Sequence, residues 1–378
     1  MEKLVFAAMD FGKDLGTRMH YKALCDGYGK ENVIVYDFFP GEPLRKDNYI
    51  AFGKYKNAAE RLLRWLQGNT MFISDNNIDE ICDTVRSNGI KTVFIERPLF
   101  AKLVIKIKKT CPGVRTITFY HDINAILYPQ WIKAEKNKKD VIEYKIGIKQ
   151  EKLHAAHEDV SLVLNKRDFE LFRAVYGKDP EGIVHLSAPV PQIPESTKAS
   201  VTPADCEKTI LFVGAYYTPN LIALDWFCEK VLPHITAPVR FDVVGRGLEK
   251  LKGKYSDCRV NIIGGVDDLG AYYTDADIVI APLFDGGGMK QKTVEALSFG
   301  KLFIGTDESL FGYREEMDDS IIGSCVFDCN TADEWIETLN RLANTQINKF
   351  NEKLFRFFLE KFSYESQRDI LLKYVRSK

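Results

Sequence analysis

Apolar residues along the chain fall into short unbroken runs, separated by longer stretches in which they recur every three or four positions. The runs at 3–9 (KLVFAAM), 32–38 (NVIVYDF), 91–97 (KTVFIER), 115–121 (RTITFYH) and 160–165 (VSLVLN) are rich in β-branched and aromatic residues and flanked by turn formers. Runs of this kind predict strands buried on both faces, the pattern of a parallel sheet. From about residue 190 the texture turns to Pro, Ser and Thr (SAPVPQIPESTKASVTPADCEK), which predicts a linker over 191–208. The alternation then resumes at 209–215 (TILFVGA), 239–247 (VRFDVVGRG), 259–265 (RVNIIGG), 276–284 (ADIVIAPLF) and 301–307 (KLFIGTD). Two successive α/β units predict two doubly wound, Rossmann-like domains, 1–190 and 209–360, facing a cleft, with ligands bound beyond the carboxyl ends of the strands.

Composition narrows the function classes. A length of 378 residues with 45% apolar content supports two cores. With 52 basic against 53 acidic residues there is no global field to draw nucleic acid. The eight scattered cysteines suit a reducing compartment, which places the chain in the cytoplasm, and their spacing is not that of a zinc site. The apolar start is too short for a signal peptide, and no run is long enough to span a membrane. Charge does divide along the chain: residues 1–190 hold 30 basic and 25 acidic groups, a net +5, and residues 101–150 alone hold 11 and 4. Their mixture of Lys, Trp, Tyr and Ile over 101–149 suits an anionic membrane surface, such as the inner face of a cell membrane, or a solvated helix face.

The chemistry concentrates in LFDGGGMKQKTVEALSFGK, residues 283–301. A strand, a loop without side-chain bulk (Asp285, Gly286, Gly287, Gly288, Met289) and a helix form the arrangement in which backbone N–H groups and a helix N-terminus bind phosphate. Lys290 and Lys292 add positive charge there, and Glu295 on the helix behind the loop can accept hydrogen bonds from a ribose diol. Gly214, at the end of one strand, and Gly245 with Arg246, at the end of the next, stand at the same edge of the predicted sheet. In the first half, His121 ends a predicted strand, and Gly12 and Gly16 follow the first strand, where backbone amides could reach a sugar or a diphosphate.

In order and spacing, FVGAYYTPNLIALDWFCEKVLP, VVGRG, YYTDADIVIAPLFDGGGMKQKTVEALSFGK and GTDE resemble the donor-binding domain of retaining glycosyltransferases of family 4, of the two-domain GT-B type. DFGKDLGTRMHYKAL, TFYHDI and DVSLVLNKRDFELFRAVYG extend the resemblance over most of the chain. It implies a nucleoside-diphosphate sugar, with UDP favoured, as donor, and a hydroxyl of a glycan or lipid-linked acceptor in polysaccharide or glycoconjugate synthesis. It implies no metal or other cofactor, His121 near the sugar, Lys290 and Lys292 near the diphosphate, Glu295 on the ribose, and a C-terminal helix (361–378) crossing back to the first domain. The sequence departs from the family in two places. Gly287 occupies the position of a second glutamate common in the family, and no basic pair follows the strand ending at Gly214.

Other candidates carry less. Asp275 and Asp277 imitate a metal-binding Asp-x-Asp but flank the start of a strand, and His154 and His157 lie three apart on what the pattern predicts as a partly exposed helix face. Two rival functions remain open on sequence: a nucleotide-sugar epimerase of the same shape, and a catalytically silent nucleotide-sugar-binding partner subunit.

Overall fold

A computed structural model describes residues 2–9, 11, 15–38, 43–53, 55, 57–135, 137–285 and 288–377. The chain divides into two units, Met1–His185 with Gln367–Lys378, and Leu186–Ser366.

The first unit is built on an eight-stranded sheet. Its strands are β1 (Leu4–Ala8), β2 (Val33–Asp37), β3 (Leu44–Lys46), β4 (Tyr49–Ala51), β5 (Thr92–Glu96), β6 (Arg115–Tyr120), β7 (Val160–Val163) and β8 (Gly182–Ile183). They lie in the order β3-β4-β2-β1-β5-β6-β7-β8. Every pairing is parallel except β3 with β4. The helices are α1 (Leu15–Tyr28), α2 (Ala58–Leu66), α3 (Asp75–Ser87), α4 (Ala101–Thr110), α5 (Asn124–Ala134), α6 (Lys138–Ala155) and α7 (Lys166–Tyr176). All five predicted strands form. The short β3, β4 and β8 have no apolar run to announce them, and β3 is exposed along its whole length.

In the second unit, α8 (Glu195–Lys198) and β9 (Val201–Thr202) precede β10 (Lys208–Val213), α9 (Thr218–Lys230), β11 (Val239–Val244), β12 (Val260–Gly264), α10 (Gly270–Asp275) and β13 (Ile278–Ala281). There follow α11 (Gln291–Ser298), β14 (Leu302–Gly305), α12 (Asp307–Leu310), β15 (Val326–Asp328), α13 (Ala332–Ala343), β16 (Ile347–Asn348) and α14 (Glu352–Lys361). The last helix, α15 (Tyr364–Arg376), begins in this unit and from Gln367 belongs to the first, where Arg115 donates to the Tyr374 carbonyl at 2.8 Å. The six-stranded sheet runs β12-β11-β10-β13-β14-β15, all parallel. Numbered from its own first strand this is 3-2-1-4-5-6, the doubly wound order, which reverses direction between β10 and β13. The chain therefore has two Rossmann-like α/β units.

The Pro-rich segment 191–208 is more than a tether. It carries α8 and β9, and β9 pairs antiparallel with β16. Thr202 is fixed further by donating its hydroxyl to Asp277, whose other carboxylate oxygen accepts from the Thr209 amide at 2.7 Å. Asp277 is 1% exposed, and Asp275 pairs with Arg240 and Lys349. This Asp-x-Asp is thus committed to structure. Asp277→Ala would strand a buried amide and a buried hydroxyl, and it is expected to cost about 2–4 kcal/mol, read as a drop in the denaturation midpoint.

Candidate functional site

Just past the carboxyl ends of β10 and β11, two glycines meet backbone to backbone. A Cβ on Gly245, whose φ is +147°, would lie 1.7 Å from the Gly214 carbonyl oxygen, so no other residue fits. The amides of both are taken, Gly214 by the Val244 carbonyl at 2.9 Å and Gly245 by the Gly264 carbonyl at 2.7 Å. These glycines therefore shape the strand ends and have no N–H to offer an anion. Gly214 has a second purpose. A Cβ there would come within 2.8 Å of the Asn220 side chain, and the Asn220 amide oxygen accepts from Lys292 Nζ at 2.7 Å.

Lys292 sits where α11 faces β10, with its ammonium 4.1 Å from the centre of the Phe212 ring. Burial pushes its pKa down to about 7; the Glu295 charge opposes that shift and the Lys290 charge adds to it. Glu295, one turn on, accepts from Tyr273 Oη at 2.9 Å and from Gln291 Nε2 at 2.7 Å. Burial raises its pKa, against the pull of those hydrogen bonds and of Lys292. Lys290 is arranged differently, because its ammonium lies 2.6 Å from Glu308 and 2.8 Å from the Gly288 carbonyl. It reaches an incoming anion only in competition with Glu308.

The loop between β13 and α11 is held from behind. Thr306 Oγ1 donates to the Leu283 carbonyl, Ser309 Oγ to the Ala281 carbonyl, and Tyr313 Oη to the Lys290 carbonyl at 2.9 Å. Gly288 takes φ +61° and Met289 is buried. The N-cap of α11 is Lys290, whose side chain makes no cap; the Thr293 amide donates to the Lys290 carbonyl at 3.1 Å, and the amides of Gln291 and Lys292 are left for another acceptor. Asp285 and Arg246 are exposed, and the Arg246 guanidinium has no partner among the described residues. Gly286 and Gly287 lie outside the described residues.

In the first unit, the carboxyl end of β5 carries Glu96, fully buried between two imidazoles. His20 Nδ1 stands 2.8 Å from one carboxylate oxygen, and His121 Nε2 stands 2.6 Å from the other. Burial would raise the Glu96 pKa, but the field of His20 and the hydrogen bonds from both imidazoles outweigh it and hold the group at about 2. The carboxylate fixes His121 with Nε2–H inward, leaving Nδ1 as the nitrogen that can meet a ligand. The next residue, Arg97, takes φ +80°, an uncommon conformation for a residue with a side chain. These three side chains also bring one donor atom each within 4.8 Å of the others, a set that could hold a divalent metal. A metal would have to displace both hydrogen bonds of Glu96.

Sequence reasoning placed His121 at a strand end and missed His20 and Glu96. The signal available was the acid closing an otherwise apolar run, TVFIE. Gly16 was expected in the loop after β1 but is the second residue of α1 and is buried, so it shapes the helix start; Gly12 lies outside the described residues. His154, expected on a partly exposed face, is fully buried against Thr118 at 2.7 Å, and burial lowers its pKa to about 3.

Residues 207–345 match the family model described as Glycosyl transferases group 1. No curated protein matches the sequence. Among solved structures, sucrose-phosphate synthase from Thermosynechococcus elongatus aligns at TM-score 0.70 and 13% identity, covering 100% of this chain and 98% of that one. HepE of Anabaena, solved in complex with UDP and glucose, aligns at 0.64 and 10%, covering 100% of both chains. A UDP-forming α,α-trehalose-phosphate synthase from Burkholderia xenovorans aligns at 0.62 and 12%, covering 100% of this chain and 99% of that one. At these identities the likeness is one of fold.

The buried Glu96 makes a measurable claim. Its folded pKa lies below the ordinary 4.5, so its stabilisation is present above about pH 4.5 and lost as pH falls through about 2. Glu96→Gln is expected to cost about 3 kcal/mol at neutral pH, and the deficit relative to wild type should shrink in acid unfolding titrations. Residues 207–345 are thus similar to the Glycosyl transferases group 1 family, within a chain that has the GT-B fold.

Proposed function

We propose that the protein transfers a sugar from a nucleoside diphosphate, UDP in the first instance, to a hydroxyl of a glycan or lipid-linked acceptor, with retention at the anomeric carbon. The observation that carries this reading is the start of α11: an uncapped helix N-terminus, a buried ammonium held by one neutral oxygen, and a carboxylate one turn further on. A leaving diphosphate gains negative charge as the glycosidic bond breaks. Fixed amides and a poorly solvated ammonium aimed at it stabilise that change without reorganising. Glu295 is assigned to the ribose diol and Lys292 to the diphosphate, with Lys290 joining once Glu308 gives way. Arg246 and Gly288 are assigned to the donor's edge, and His121 to a sugar hydroxyl through the ring nitrogen that Glu96 does not hold. No metal ion is assigned a part. UDP or UDP-glucose bound to a structural neighbour supports the choice of nucleotide.

Retention is tested by the anomeric configuration of the product in NMR. An inverted product, or interconversion of the nucleotide sugar without transfer, would exclude it. Glu295→Gln keeps an acceptor for Tyr273 and is expected to weaken UDP-sugar affinity by about tenfold to a hundredfold in calorimetry, with little change in the melting temperature of the free protein.

Lys292 gives the pH dependence. A bound diphosphate raises its pKa above the ligand-free value of about 7. Affinity should then be full below about pH 7 and fall as pH rises toward the bound-state value, by about tenfold or more in all. In Lys292→Gln that slope should vanish.

A further inference from the structure

Helix α2 is inside out. Its exposed positions are Ala58, Ala59, Leu62, Leu63 and Leu66, and the three leucines are 53%, 53% and 77% exposed. Its charged residues turn inward instead. Arg64 is 4% exposed and donates to Glu60 and to the Met71 carbonyl, while Arg61 lies over the Tyr55 and Trp65 rings. A helix in water normally presents the reverse arrangement. Leucines more than half exposed stand up as a ridge, which offers a small ligand no pocket.

What flanks the ridge is cationic. Trp65 donates to Glu143, the Met71 amide donates to the same carboxylate at 3.1 Å, and Gln150 reaches the Gly68 carbonyl, so α2 lies along the Glu143/Gln150 side of α6. On the other side α5 packs through Tyr128 and Trp131, whose ring centroids are 5.0 and 5.7 Å from that of Tyr144. With about 100° between successive helical residues, Ile142 and Lys149 fall on the free surface next to α2, and Lys145 and Lys152 continue it. All four are exposed, as are Lys138, Lys139 and the Trp131 ring. None of these five lysines makes an ion pair or a side-chain hydrogen bond among the described residues. Three of the four lysines of α4 differ: Lys102, Lys106 and Lys108 are neutralised by Asp75, Asp79 and Asp159, and only Lys109 is left exposed without an ion pair among the described residues. The basic character of 101–149 is therefore mostly cancelled on α4 and left unpaired on α6, and the unpaired lysines of α6 lie beside the leucines.

We propose that α2 and the outer face of α6 form a docking surface for an anionic lipid bilayer, with Leu62, Leu63 and Leu66 entering the acyl boundary and the α6 lysines meeting the headgroups. A fluid apolar phase can wrap a ridge, and each lysine near an anionic surface strengthens binding about fivefold. A second copy of the chain is the poorer occupant, because pairing two such faces would bring their unneutralised lysines together. No helix among the described residues is long and apolar enough to cross a membrane, so the contact would be peripheral. The surface goes beyond the donor site and stands apart from it: a protein that bound vesicles but no nucleotide sugar would refute the proposed reaction and leave this surface intact.

The test is co-sedimentation of the full chain with phosphatidylcholine vesicles made with and without phosphatidylglycerol. Wild type should pellet with the anionic vesicles, stay in solution with pure phosphatidylcholine, and be released by salt. The triple variant Leu62→Ser, Leu63→Ser, Leu66→Ser should lose binding while keeping the wild-type melting temperature, because the replaced side chains are exposed. Lys145→Glu with Lys149→Glu should weaken binding by about tenfold or more. Failure of wild type to pellet, or wild-type binding by the leucine variant, overturns the proposal. So does a lipid-free dimer, seen by analytical ultracentrifugation, that the leucine variant abolishes, since that would assign the ridge to a second copy.

Discussion

The Lys292 ammonium is surrounded by too few oxygens, and the architecture of the second unit follows from how that shortage is maintained. One amide oxygen and one aromatic face are its partners among the described residues, and burial leaves it close to losing its proton at neutral pH. Asn220 can reach it only because residue 214 has no side chain, and the strand carrying Gly214 can lie that close to its neighbour only because residue 245 has none either. Two glycines, one asparagine and one lysine from four different segments thus form one device. A cation kept under-solvated in this way gains more from an arriving anion than a surface lysine would, since little hydration has to be removed at that moment.

The first unit solves the opposite problem. Glu96 is a carboxylate with no solvent at all, and both of its oxygens are answered by imidazoles from α1 and from the end of β6. A buried charge that is fully partnered is stiff, and its stiffness passes to His121, whose ring is also edge-on to Phe119 at 4.9 Å. Each unit places its charged group at the carboxyl edge of strands where the winding reverses, so sheet topology decides where charge can be stored beside a place a ligand can reach.

That shared logic explains what could be read from the sequence. The ten long strands were legible because burial on both faces writes itself as unbroken apolar runs, and the glycine loop with Lys290, Lys292 and Glu295 was legible because its residues are contiguous. The partners were not. Asn220 and Lys292 are 72 residues apart, Lys290 and Glu308 are 18 apart, and His20 and Glu96 are 76 apart. Nothing local marks such pairs, since their meeting is a property of strand order. The neutralisation of Lys290 by Glu308 shows the consequence, because two lysines that read as equivalent in sequence differ in charge environment once folded.

The same principle separates two kinds of basic surface in the first unit. Lys102, Lys106 and Lys108 on α4 lie across from acids on α3 and just before β7, so the folded chain cancels them, whereas the exposed lysines of α6 meet no acid among the described residues. Folding alone gives no reason for α2 to bury Arg64 and expose Leu66, because the reverse orientation would hide apolar area worth about 25 cal/mol for each Å². The orientation is nevertheless specified: Trp65 to Glu143 and Arg64 to the Met71 carbonyl are made with the leucines outward. A sequence that spends several hydrogen bonds on holding leucines in water encodes a surface that is completed by something other than water.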